Sequence, residues 1–185
     1  MNYGGPLLGI FAVRGDYRLV RQMPGRLIGM TTTLDGSQRG FAMILQTREQ
    51  HIRRERATSN ICTNEALCAL AAAVYMALLG PQGFKELGEE IIARSHYAAR
   101  AINRLDCYEA PVFKSFFFKQ FVVRSLRRPA AHVKRALAER GIIVGPVLTR
   151  DFPLLGESFL VCVTEMHSKQ DIDTLVSALE GVSSR

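Results

Sequence analysis

Four arginines, Arg48, Arg53, Arg54 and Arg56, and one histidine, His51, fall within the run Gln46 to Thr63, QTREQHIRRERATSNICT. The run closes on Thr58-Ser59-Asn60-Ile61-Cys62-Thr63, a corner of hydroxyls and one amide set before an alanine-rich stretch. Guanidinium groups present a fixed fork of donors to carboxylates and phosphates. A helix N-terminus adds unpaired N–H groups and a dipole that favour the same ligands. Two readings stay open at this point. The corner contacts a phosphate, or Thr63 and its neighbours cap a helix while the arginines decorate an exposed, salt-bridged one. Basic nucleic-acid segments often interleave aromatics for stacking. None lies between Gln46 and Thr63, which weighs against nucleic acid.

The remaining polar residues offer less chemistry. His51 stands four residues from Glu55, too few ligands for a metal site. His96, His132 and His167 read as structural. Cys62, Cys68, Cys107 and Cys162 form no CxxC pair and read as buried, reduced thiols. The sequence has no P-loop, dinucleotide fingerprint, GxSxG or HExxH motif. No residue is assigned a catalytic role, and no metal is expected.

These residues need elements to hold them. Leu7 to Val13 is almost wholly apolar and reads as a strand of a sheet covered on both faces. Residues 16–22 form a short polar helix, stopped by Pro24-Gly25. Leu27 to Thr33 and Phe41 to Gln46 read as strands joined at Asp35-Gly36-Ser37, a hairpin signal. Thr47 with Gln50 matches a capping box, which predicts a helix over Arg48 to Arg56 with Glu49–Arg53 and His51–Glu55 as neighbours. A buried helix follows from Asn64 to Leu79, broken at Gly80-Pro81, and another covers Phe84 to Leu105. Beyond it the pattern becomes strands at 107–112, 119–126, 142–148 and 158–164, with helices from Pro129 to Gly141 and after Ser168-Asp171. That segment, 106–181, reads as an α+β unit of antiparallel strands backed by helices.

With 185 residues, 48% hydrophobic and 22% charged, the chain has the composition of an ordinary globular protein. No signal peptide or uninterrupted apolar span of about 20 residues is apparent, so a cytoplasmic protein outside the membrane is expected. The net charge is +7, and all but five of the 24 basic residues are arginine. That balance suggests an anionic partner.

The stretch QTREQHIRRERATSNICTNEALCALAAAVYMALLG closely resembles the glycine cleavage system P-protein, the pyridoxal-phosphate-dependent glycine decarboxylase. GGPLLGIFAV, RQMPGRLIG and the Asp-Gly hairpin resemble the same family in the same order. The resemblance is dense from Gly4 to Gly80 and looser after Leu105. It matches the half without the cofactor lysine, which is subunit 1 (alpha) of the two-subunit form, and within it the C-terminal portion. It implies the aspartate aminotransferase-like fold, fold type I of pyridoxal-phosphate enzymes: an α/β large domain with an α+β small domain. Residues 1–80 would be a large-domain remnant and 81–185 the small domain.

The implied reaction decarboxylates glycine and passes the aminomethyl group to the lipoyl carrier H-protein. The cofactor would be held covalently by the lysine-bearing subunit 2 (beta), and this chain would be inactive alone. Lys85, Lys114, Lys119, Lys134 and Lys169 all lack the His-Lys-Thr setting of the cofactor-binding half. Thr58, Ser59 and Asn60 would approach the partner's cofactor, with Arg48, His51, Arg53 and Arg54 near the interface or substrate entrance. The alternatives are a basic binding module for nucleic acid or an acidic protein, and a relative such as a cysteine desulfurase.

Overall fold

The computed structural model of the chain describes residues 7–61 and 64–183. It is mixed α/β and divides into two compact units, residues 6–74 and 75–185. Cys62 and Thr63, the expected helix cap, lie outside the described residues.

In the first unit, Asp16 caps α1 (Tyr17–Gln22), its Oδ1 accepting from the Arg18 N–H at 2.8 Å. The chain then turns at Pro24-Gly25, where Gly25 takes φ 77°, a left-handed conformation that favours glycine. Strands β1 (Leu27–Thr32) and β2 (Arg39–Ile44) form an antiparallel ribbon in which Ile28 faces Met43 and Met30 faces Phe41. The predicted hairpin tip is present. Asp35 accepts from the Thr33 and Ser37 hydroxyls, and Gly36 has φ 72°. Those bonds hold the exposed Asp35 carboxyl at a pKa of about 2, the Thr33 hydroxyl being the largest cause.

Two expectations fail in this unit. Leu7 to Val13 is not a strand, because no neighbouring strand pairs with it, and Leu7, Ile10 and Phe11 are exposed. The helix expected over Arg48 to Arg56 is three short turns: a 3₁₀ turn Gln46–Arg48, α2 (Gln50–Arg53) and a second 3₁₀ turn Arg54–Arg56. No capping-box bond forms, since Glu49 sits at φ −95°, ψ 145° and interrupts the helix.

The helical stretch α3 (Ala66–Asn103) is interrupted at Gly80, φ 63°, ψ −178°, as the Gly80-Pro81 pair predicts. Its first part was expected to be buried. Instead Leu67, Leu70, Val74 and Leu78 are exposed. By length and composition α3 could cross a membrane, with a mean hydropathy of 1.6 and 6% of that window buried. The break at Gly80 leaves 66–79 rising about 21 Å, short of a hydrocarbon core of roughly 30 Å.

The second unit holds a three-stranded antiparallel sheet, β3 (Tyr108–Glu109), β4 (Gln120–Ser125) and β5 (Ser158–Cys162), in that order. Helices α4 (Ala130–Ala138) and α5 (Lys169–Ser183) belong to the same core, with Val133, Leu137, Ile172 and Leu179 buried alongside Val123, Phe159 and Val161. Ser168 and Asp171 cap α5 reciprocally, and the Ser168 hydroxyl bond lowers the Asp171 pKa. The expected strand 107–112 shrinks to β3, where Tyr108 and Glu109 pair with Ser125 and Arg124, and Pro111 beyond it has no N–H to extend the ladder. The expected strand 142–148 makes a single bridge, Val147 to Phe159. Pro146 has no N–H to donate, and its carbonyl and the Gly145 N–H take up the pairing with Leu160. Of the cysteines, Cys107 is buried, Cys68 half-buried and Cys162 exposed at the end of β5, against the expectation for the last.

Candidate functional site

The arginine segment folds back on itself. β2 ends at Ile44, and the next residue, Leu45, takes the left-handed φ of 56°, a conformation an L-residue adopts only under constraint. The chain enters the 3₁₀ turn there and leaves it at the extended Glu49. That geometry turns two consecutive charged residues inward: Arg48 is 8% exposed and Glu49 is 3% exposed. The Arg48 guanidinium donates to the carbonyls of Met23 and Gly25. Its backbone carbonyl accepts from the Thr58 N–H at 3.1 Å, closing the segment into a loop. Arg48 therefore ties the Pro24-Gly25 turn to Thr58.

Glu49 faces Arg26 and His51. Its Oε2 lies 3.3 Å from His51 Nδ1 and 3.9 Å from Arg26 Nε, at ion-pair distance but without hydrogen-bond geometry. The expected Glu49–Arg53 and His51–Glu55 pairs do not form, because α2 is too short to align them.

A cavity of about 350 Å³ opens beside Arg48, lined by Arg21, Gln22, Thr47, Arg48, Arg53, Arg56 and Thr58. Of the residues singled out in the sequence, it brings Arg48, Arg53, Arg56 and Thr58 together. His51, Arg54, Ser59 and Asn60 do not line it. Ser59 turns its hydroxyl onto the Ile61 N–H at 3.3 Å, and Asn60 is exposed. Arg21, Gln22 and Thr47 were not anticipated. The available signal was the Pro24-Gly25 corner, which places the end of α1 near a segment more than twenty residues away.

No carboxylate lines the cavity, so it presents cationic and neutral donors to whatever enters it. No lysine occurs before Lys85, so nothing in the 6–74 unit can form an imine with a carbonyl group. The arrangement can hold and orient an anion. Among the described residues no group of three His, Cys, Asp or Glu stands close enough to hold a metal ion.

In the second unit His96 and His167 make structural contacts. His96 stacks on Phe117 at 4.1 Å and its Nε2 lies 3.0 Å from the Phe117 carbonyl, while His167 Nδ1 accepts from the Thr164 N–H.

The family model of the glycine cleavage system P-protein matches residues 1–179. A probable glycine dehydrogenase (decarboxylating) subunit 1 from Aeropyrum pernix is 54% identical, covering 98% of this chain and 39% of that protein. The corresponding protein of Staphylothermus marinus is 53% identical over the same shares. The chain thus spans 39% of the length of these curated relatives. Among solved structures, an inhibitor-bound glycine decarboxylase (P-protein) matches with TM-score 0.77 and 37% identity, over 90% of this chain and 37% of that one. An L-threonine-O-3-phosphate decarboxylase from Porphyromonas gingivalis matches at TM-score 0.52 and 18% identity, over 82% of this chain and 43% of that one, a likeness of fold alone.

Proposed function

Because the chain belongs to the glycine cleavage system P-protein family, we propose that it is a portion of subunit 1 of a glycine dehydrogenase (decarboxylating). The observation that carries this reading is 54% identity sustained over 98% of the chain. On it, the complete enzyme acts in the cytoplasm on glycine, works with a lysine-bearing second subunit, and hands its product to the lipoyl H-protein. Residues 1–80 then belong to the large domain and 81–185 to the small one.

Pyridoxal phosphate, when bound, supplies an electron sink for the pair left behind as the carboxylate departs. The residues present fit its phosphate and not its covalent attachment: hydroxyl and guanidinium donors stand together, and no lysine accompanies them. The role proposed for this chain is electrostatic and positional. Thr58, Ser59 and Asn60 present donors toward the cofactor held by the second subunit. Arg53, Arg54 and His51, all exposed, lie along the same surface and attract anionic groups to it. Arg48 sets the Thr58 backbone through its carbonyl and does not itself reach the substrate.

The test uses complete subunit 1 bearing these residues, assembled with the lysine-bearing subunit. Thr58→Ala with Ser59→Ala removes up to two bonds to a charged group, each about 1.5–3 kcal/mol, so cofactor affinity falls roughly tenfold or more. Retained cofactor is read by absorbance and carbon dioxide release from labelled glycine by counting. Unchanged retention and turnover would refute the Thr58 contact. Carbon dioxide release by the 185-residue chain alone would refute the assignment of the lysine to the other subunit.

A further inference from the structure

We infer that the cavity bounded by Arg21, Arg53, Arg56 and Thr58 is an oxyanion site complete within this chain, taking a phosphate or carboxylate group without help from a partner. This goes beyond the cofactor reading, since the donors it uses all come from this chain. Every lining residue lies between Arg21 and Thr58.

Three observations carry it. First, the cations are not neutralised from within. The ion pairs among the described residues of 6–74 both use Glu49, on Arg26 and His51, and neither partner lines the cavity. Arg21 makes only a ring contact, 5.6 Å from the Tyr17 centroid. Second, Arg48 lines the cavity while 92% buried, and its Nε is left without an acceptor although both terminal nitrogens are engaged. Arg48 thus adds a fixed positive charge to the wall while its terminal nitrogens stay on the Met23 and Gly25 carbonyls. Third, neutral donors complete the lining: the Thr47 and Thr58 hydroxyls and the Gln22 amide. The cavity, at about 350 Å³, sits at the small end of the roughly 300–1,000 Å³ of ligand pockets, a size for one small group. By contrast, a second arginine-lined cavity, at Arg128, His132 and Arg140, includes Glu139, and Arg140 there donates to the Ala178 carbonyl.

The test is calorimetric titration of the 185-residue chain at low salt with inorganic phosphate and, separately, acetate. Saturable one-site phosphate binding is expected, weakened at least tenfold in Arg53→Gln/Arg56→Gln and unchanged in Arg128→Gln. Arg53 and Arg56 are exposed, so the variant keeps its fold, which circular dichroism verifies. Phosphate binding more than tenfold tighter than acetate assigns the site to a phosphate-bearing ligand. Equal competition by acetate assigns it to the carboxylate of an amino-acid substrate. Absence of saturable binding by either anion overturns the inference. So does unchanged affinity in the double variant, or duplex DNA binding of steep salt dependence that phosphate does not displace. Because the second subunit is absent, this result is separate from cofactor retention in the assembled enzyme.

Discussion

Arg48 offers a direct test of how the basic segment is built. Its guanidinium is buried on two main-chain carbonyls, Met23 and Gly25, with no carboxylate beside it. Arg48→Met keeps the aliphatic bulk and removes both bonds. Each orphaned carbonyl costs about 1–3 kcal/mol. Against that, the variant no longer desolvates a charge, which returns part of the loss. The expected net loss is about 2 kcal/mol, felt locally because Arg48 also holds Thr58 through the 3.1 Å backbone bond. Arg48→Lys loses about as much, since an ammonium cannot span two carbonyls and remains buried and charged. The assay is hydrogen exchange on peptides covering 46–61, in buffer free of phosphate and other multivalent anions. A local loss of about 2 kcal/mol speeds exchange through opening by roughly 30-fold. Peptides covering 120–125 and 158–162, from the other unit, serve as the control and should not change. If Arg48 were an anion ligand and not a tie, its removal without anion would relieve repulsion and slow exchange. Unchanged or slower exchange in 46–61 refutes the reasoning.

Further outcomes follow from single contacts. A Cβ on Gly145 would meet the Leu160 carbonyl oxygen at 2.8 Å, whereas one on Gly88 within α3 meets nothing within 4 Å. Gly145→Ala should therefore lower stability by about 1–3 kcal/mol and Gly88→Ala raise it by about 1 kcal/mol; opposite shifts of the urea midpoint are expected, and shifts of the same sign would contradict the packing. The folded pKa of Asp35 is lowered from 3.8 to about 2, so its contribution is present above 3.8 and is lost as pH falls through 2. Carboxyl NMR of Asp35 should titrate near 2, rise toward 3.8 in Thr33→Val, and a wild-type midpoint near 3.8 would remove the hydroxyl bonds from the account.

Local signals were legible where one residue decides the outcome. Asp35-Gly36-Ser37 makes its turn because glycine supplies the positive φ and aspartate binds its own neighbours. Ser168 and Asp171 cap α5 because each satisfies the other's backbone. The Thr47–Gln50 signal looked the same and failed. Burial of Arg48 on Met23 and Gly25 outweighs a cap, and no local pattern encodes a partner more than twenty residues away. The candidate site was half visible for the same reason. Arg53, Arg56 and Thr58 stand in one run, but Arg21 and Gln22 reach the cavity only through that long-range tie.

Apolar periodicity shows a further limit to what a pattern means. In α3, Leu67, Leu70, Val74 and Leu78 recur at helical spacing. In α5, Ile172, Leu175, Leu179 and Val182 do the same. The second stripe packs into the core with β4 and β5, with Leu179 fully enclosed. The first leaves Leu67 79% and Leu78 77% exposed. Spacing states that a helix has an apolar face, and burial requires a second surface. The β1–β2 ribbon behaves alike: Ile28, Met30, Phe41 and Met43 line one exposed face of two strands, and a two-stranded ribbon alone is marginal in water. The chain spans 39% of its relatives' length. Within 75–185 the stripes of α4 and α5 close on the sheet, and there the sequence pattern and the buried core agree.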